Sequence, residues 1–255
     1  ADYLYREESF MLEFTDVFCS YPNGEAVLKG VSLSIEEGEQ VGLIGSNGAG
    51  KSTFLKAALG LLSFDGEISV DGVSVTKEKL PEVRKRLGYV LQDSDSQMFM
   101  PTVIDDMIFG PINYGMSRDD AIRNAEEVLT SLGIEHLKDR HNHRISGGEK
   151  RMAAIATILA MEPKIMLMDE PSTALDPSNR RTLIRTLQSL PVTKVIASHD
   201  LDMILETCSR VILIRDGQIV ADGDTLTVLS NRNLLEENNL ELPLCLAGIP
   251  RKARK

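Results

Sequence analysis

The chain has 255 residues, 42% of them hydrophobic, enough for one large domain or two intimate subdomains around a real core. A net charge of -10, from 28 Lys and Arg against 38 Asp and Glu, disfavours nucleic-acid backbones, which need clustered cations. Three scattered cysteines, Cys19, Cys208 and Cys245, disfavour a disulfide framework and a zinc site.

Along the chain, Met11-Leu12-Glu13-Phe14, Val31–Ile35 and Gln40–Ile44 read as short strands, with turns at Pro22-Asn23-Gly24 and Glu37-Gly38. Thr53–Leu62 reads as a helix, Glu67–Val75 as a hairpin about Asp71-Gly72, and Arg86–Leu91 as another strand. From about Asp93 to Arg144 the pattern is helical. Ser117 to Asp120 resembles a capping box, and Ala121, Ile122, Ala125, Val128, Leu129 and Leu132 follow at helical spacing. The strand pattern resumes at Ile165–Met168, Lys194–Ser198 and Val211–Ile214, with helices between, which implies a largely parallel sheet. Asp216-Gly217 makes a last hairpin turn, and a short helical tail follows Thr225. The longest apolar run, near 153–161, is far short of a membrane span, and no N-terminal stretch reads as a signal peptide. The expectation is a cytosolic chain that reaches a membrane only through a partner. The basic residues Arg251 to Lys255 read either as a solvated end or as a contact for anionic lipid.

Three segments carry the chemistry. Gly45–Ser52 fits G-x-x-x-x-G-K-[ST]: glycines let successive backbone N–H groups point at phosphate oxygens, and the helix that follows adds its positive end. Lys51 would reach the β- and γ-phosphates and Ser52 would ligate Mg²⁺. Asp169-Glu170 closes an apolar strand at the edge where open α/β sheets bind ligands; Asp169 suits Mg²⁺ and Glu170 suits a general base for water. Ser146-Gly147-Gly148 opens a helix and reads as an N-cap or as a second anion site. Two anion sites in one chain suit a head-to-tail pair, with the cradle of one copy facing Ser146 of the other across ATP. His141 and His143 lack cysteine or carboxylate partners and read as a polar loop rather than a metal pair. Met98, Phe99 and Met100 read equally as a partner groove or as core.

In their order these segments resemble the ATP-binding cassette family, the ATPase subunits of ABC transporters. Gly45–Ser52 is similar to its Walker A motif, Ile165–Glu170 to Walker B, and Ile145–Glu149 to the signature. Gln92 falls at the Q-loop, Thr173–Asp176 at the D-loop and His199 at the switch histidine, and Tyr21 sits where the family stacks an aromatic on adenine. The resemblance implies a P-loop α/β fold with a mainly parallel core sheet, an N-terminal antiparallel β subdomain and an inserted helical subdomain. It would be one ATPase domain, with its core at 10–92 and 162–224, the helical subdomain at 93–161 and a tail at 225–255. It implies ATP held by Tyr21, Asn47, Gly48, Ala49, Gly50, Lys51, Ser52 and Thr53, and in a second subunit's site by Ser146, Gly147, Gly148 and Asp176. Mg²⁺ would fall to Ser52, Gln92 and Asp169, and catalysis to Glu170, His199, Lys51 and Gln92. Asp93–Phe99, Phe109–Gly115 and Ile145–Arg151 resemble more narrowly the energy-coupling-factor or cobalt-type importer ATPases. That branch implies a second ATPase subunit, integral membrane partners, a place on the cytoplasmic face of the membrane, and uptake of cobalt, nickel or a vitamin. Ile145 and Glu149 depart from the commoner Leu and Gln of the signature, and Ser94 and Ser96 from the branch's frequent Pro and Asp. The rival within the family is a soluble ATPase of DNA repair or translation, which usually carries a long coiled-coil or zinc insertion or a second cassette.

Overall fold

The computed structural model describes residues 10–21 and 26–248. The expected turn at Pro22-Asn23-Gly24 and the basic tail lie outside the described residues.

Two sheets organise the chain. The first is antiparallel, in the order β2-β1-β4-β5: β1 (Leu12–Ser20), β2 (Ala26–Ile35), β4 (Phe64–Val70) and β5 (Val73–Ser74). The second has the order β10-β9-β3-β8-β7-β6. In it β3 (Gln40–Ile44), β6 (Leu87–Val90), β7 (Ile165–Asp169), β8 (Thr193–Ala197) and β9 (Arg210–Arg215) run parallel, and β10 (Gln218–Asp224) closes one edge as an antiparallel hairpin with β9. All five residues of β7 are buried, the mark of a strand covered on both faces. Its side chains alternate: Ile165 and Leu167 join the core beneath the antiparallel sheet, whereas Met166 and Met168 join the core on the opposite face.

Helix α1 (Lys51–Ala58) lies between the sheets, where Phe54 stacks on Phe14 with ring centroids 4.2 Å apart. Helix α2 (Leu80–Arg86) leads into β6. On the other face pack α7 (Pro177–Ser189), α8 (Leu201–Thr207), α9 (Thr225–Ser230) and α10 (Arg232–Glu237); the short α11 (Leu244–Ala247) follows. A third core is helical: α4 (Val103–Asn113), α5 (Arg118–Leu132) and α6 (Gly147–Leu159), preceded by the turn α3 (Ser94–Gln97). Its residues Ala121, Ala125 and Leu129 are buried at the spacing the sequence showed.

Some boundaries shift. β1 continues past Phe14 because Asp16 takes a left-handed φ of 50° and a bulge displaces the register before Val17, with the Asp16 amide donating to Ser32 Oγ at 2.8 Å. Helix α1 starts at Lys51 and stops at Ala58, short of the expected Leu62. Ser117 caps α5 by accepting from the Asp120 amide, but the reciprocal capping box forms at Ser146 and Glu149 instead. The Met98–Met100 segment divides: Met98 is in the helical core, and Phe99 is 64% exposed.

Candidate active site: a phosphate loop facing two carboxylates

β3 runs out at Ile44 into the Gly45–Gly50 loop, and Gly50 caps α1 with φ 113°. At Gly48 φ is +79°, a conformation that L side chains rarely adopt, although the space around it is open. No acidic side chain occupies the first turn of α1, so its positive end is left for an anion. The Lys51 ammonium donates to the Gly45 carbonyl at 2.8 Å and the Ser46 carbonyl at 3.2 Å. Burial lowers its pKa, opposed by the charges of Glu170 and Asp169.

Opposite, β7 delivers two buried carboxylates. Asp169 Oδ1 accepts from Ser52 Oγ at 3.1 Å, and Oδ2 from the Tyr89 hydroxyl at 3.2 Å. Burial and the charge of Asp169 raise the Tyr89 pKa, which keeps it a neutral donor. Glu170 breaks from the strand with a left-handed φ of 47°. Its Oε2 accepts from Ser198 Oγ at 3.2 Å and the His199 amide at 3.2 Å, and meets His199 Nδ1 at 2.7 Å. The His199 ring nitrogen thus faces the carboxylate.

A cleft of about 410 Å³ lies between these elements. The structure brings Tyr21, Asn47, Gly48, Gly50, Lys51, Ser52, Thr53, Gln92, Glu170 and His199 to its walls. The Tyr21 hydroxyl and Thr53 Oγ1 are 3.2 Å apart. Ala49 does not line it; that residue is buried, and its amide donates to the Ser46 carbonyl at 3.1 Å. Asp169 sits behind Ser52. Ser146, Gly147 and Gly148 are at the start of α6, and Asp176 caps α7 by accepting from the Ser178 and Asn179 amides, so none of these four faces the chain's own cleft.

Two residues of the site escaped the sequence reading. Tyr89 could have been suspected as a hydroxyl-bearing residue in an otherwise apolar strand. Arg151 had no signal beyond its place in α6. Buried, it donates to the Leu91 carbonyl at 2.6 Å and the Gln92 carbonyl at 2.5 Å, and so ties the Gln92 loop to the signature helix.

The donor set fits a hard divalent cation: Ser52 Oγ and Asp169 Oδ1 stand side by side, with phosphate and water left to complete the shell. No group of three or more His, Cys, Asp or Glu among the described residues is arranged to hold a metal by itself, the His141–His143 loop included.

Residues 28–173 match the ABC transporter family model. The chain belongs to that family. A Geobacter sulfurreducens chain named as an ABC transporter ATP-binding protein is 44% identical over 94% of this chain and 97% of its own length. The energy-coupling factor transporter ATP-binding protein EcfA of Methanothermobacter thermautotrophicus is 40% identical over 91% of this chain and 77% of its own. Among solved structures, cbiO1 of Clostridium perfringens, part of the ABC transporter complex cbiONQ, aligns with a TM-score of 0.81 at 32% identity, covering 94% of this chain and 98% of that one. The protein is therefore an ATP-hydrolysing subunit of an ABC transporter and uses ATP with Mg²⁺. No helix among its described residues is long and apolar enough to cross a membrane.

Proposed function

We propose that this ATPase powers an importer of the energy-coupling-factor or cobalt type, taking up cobalt, nickel or a vitamin through integral membrane partners at the cytoplasmic face of the membrane. The observation that carries this reading is an exposed aromatic pair on the helical subdomain. Phe99 and Phe109, 64% and 44% exposed, meet edge-to-face with centroids 5.1 Å apart. Buried Asp106 holds that corner, accepting from the Phe99 and Met100 amides at 3.2 and 3.1 Å. The pair suits a groove for a partner helix, and Gln92 and Arg151 connect the cleft to the same subdomain. The likeness to EcfA and cbiO1 supports the branch.

In the proposed cycle, adenine stacks on Tyr21, and the amides of Gly48–Thr53 with Lys51 hold the phosphates. Ser52, Asp169 and Gln92 would hold Mg²⁺, which would offset phosphate charge. Glu170 takes the proton of the attacking water, His199 steadies Glu170, and Gln92 reports the γ-phosphate. Ser146, Gly147, Gly148 and Asp176 complete the cleft of a second ATPase subunit.

Purification in mild detergent from native membranes should recover the chain with a multi-span protein. Phe99→Asp should release that protein while the ATPase rate of the isolated chain stays within about twofold. Recovery with soluble proteins or nucleic acid alone would sink the transport reading and favour the soluble ATPases of DNA repair or translation.

A further inference from the structure

The motifs that face away from the cleft are joined to it by the first turn of α7. Asp176 Oδ1 accepts from the amides of Ser178 and Asn179 at 2.9 Å each, and its Oδ2 accepts from Asn179 Nδ2 at 2.6 Å. The Asn179 carboxamide is thereby fixed in direction, and it fills the space at Gly148. The three atoms nearest to a Cβ built on Gly148 are Asn179 Cγ, Nδ2 and Oδ1, all closer than the 3.0 Å that real Cβ atoms respect. At Gly147 nothing lies within 4 Å. The two glycines therefore differ: Gly147 stands open at the helix end, whereas Gly148 is a seat for a side chain of α7.

One residue further on, Arg180 points to the other flank. Its Nε and Nη2 donate to Asp200 Oδ2 and Oδ1 at 2.6 Å each, a half-buried bidentate pair. Burial alone would raise the Asp200 pKa, but the hydrogen bond and charge of Arg180 hold it below the usual carboxylate range. Asp200 also caps α8 through the Met203 amide at 3.0 Å, and it directly follows His199, the residue that meets Glu170. Three side-chain contacts and two peptide links thus join Gly148, Asn179, Arg180, Asp200, His199 and Glu170.

We propose that Asn179 and Arg180 are positioning residues that lock the signature turn to the switch-histidine loop within one chain. A displacement of Gly148 is carried through α7 to His199 and so to the Glu170 carboxylate. The inference rests on the reading in which Ser146–Gly148 meets a second subunit's nucleotide; engagement of that neighbour's site is then felt at the chain's own general base. The link is stiff because a carboxamide seated on a glycine and a bidentate ion pair both resist sliding.

The test is steady-state ATP turnover by the full chain. Asn179→Ala should lower kcat about tenfold with KM for ATP within about twofold, because the side chain touches no residue that lines the chain's own cleft. Arg180→Ala should do the same. Gly148→Ala should lose at least as much. Alanine at 179 ends at Cβ and vacates the space the new methyl needs, so Gly148→Ala with Asn179→Ala should be no slower than Asn179→Ala alone. Losses that simply multiply, or an Asn179→Ala chain with normal kcat, would overturn the proposal. Binding of a fluorescent ATP analogue separates these outcomes from unfolding. Sedimentation with ATP in the Glu170→Gln background separates them from failure of the two-subunit reading: no pairing there sinks that reading, whereas pairing with normal Asn179→Ala turnover sinks only the link.

Discussion

Replacing Lys194 with methionine should stabilise the protein at neutral pH, and the gain should fade as the pH rises toward 10. Lys194 lies on β8 in the middle of the core sheet and is fully buried. Its ammonium donates to the Leu190 carbonyl at 2.5 Å, and no ion pair among the described residues includes it. Desolvation lowers its pKa from 10.5 to about 8, opposed by nearby Cys208. The folded chain therefore binds this proton less tightly than the unfolded one. Between about pH 8 and 10.5 the unfolded state carries the extra proton, so stability rises with pH through that window. Below about pH 8 both states are protonated and the whole penalty is present. At 1.36 kcal/mol per unit, the shift has a ceiling of about 3 kcal/mol. Methionine forfeits the charge-assisted hydrogen bond to Leu190, roughly 2 kcal/mol, which leaves a net gain of about 1 kcal/mol at about pH 7. Near pH 10 most of the penalty has gone from the parent chain, and the variant should be level with it or slightly weaker. Urea unfolding of both proteins at the two pH values gives the answer, because subtraction cancels every other titrating group. A variant weaker at neutral pH, or a difference that does not change with pH, refutes the desolvation argument.

Three further outcomes follow from the site. Glu170→Gln should slow ATP turnover roughly 10²–10⁴-fold and spare nucleotide binding, and a near-normal rate would remove Glu170 from the general-base role. Ser146→Arg places a large cation on an exposed turn; it should abolish ATP-driven pairing in sedimentation while the monomer still binds nucleotide, at roughly 1 kcal/mol of stability for the lost cap. Persistent pairing would end the head-to-tail model. Arg151→Met should cut kcat about tenfold and shift stability by less than about 2 kcal/mol, because it frees the Leu91 and Gln92 carbonyls while removing a buried charge; unchanged turnover would show that the Gln92 loop does not need this anchor.

What was legible in the sequence was local. The phosphate loop announces itself because its glycines, its lysine and the strand and helix around it are contiguous. Strand β3 was read to the residue, and the Ile165–Met168 run is simply β7 without its terminal aspartate. The long-range partners were not legible. Tyr89 meets Asp169 because β6 and β7 are neighbours in the parallel sheet, a pairing that no spacing within either strand encodes. Arg151 reaches Gln92 across 59 positions, and Asn179 meets Gly148 only once α6 and α7 are side by side. The bulge at Asp16 was hidden for a different reason: its left-handed φ restores an alternation that the letters Thr15-Asp16 interrupt.

The same distinction bears on Glu170. In the sequence, Asp169 and Glu170 receive their separate roles, Mg²⁺ and general base, from position alone. The fold separates them, since Asp169 spends both oxygens on Ser52 and Tyr89, whereas the contacts of Glu170 with Ser198 and His199 all converge on Oε2. Its Oε1 is left without a donor from the described residues, on a side chain that lines the cleft. A carboxylate anchored through one oxygen and open at the other is what abstraction of a proton from water requires, whereas Asp169 is fixed through both oxygens beside Ser52, where the lone pair left on Oδ1 is available to a cation. The left-handed turn at Glu170 makes this difference, swinging the second acid off the axis of β7 toward the loop of Ser198 and His199. An uninterrupted strand would have directed it to the opposite face of the sheet from Asp169.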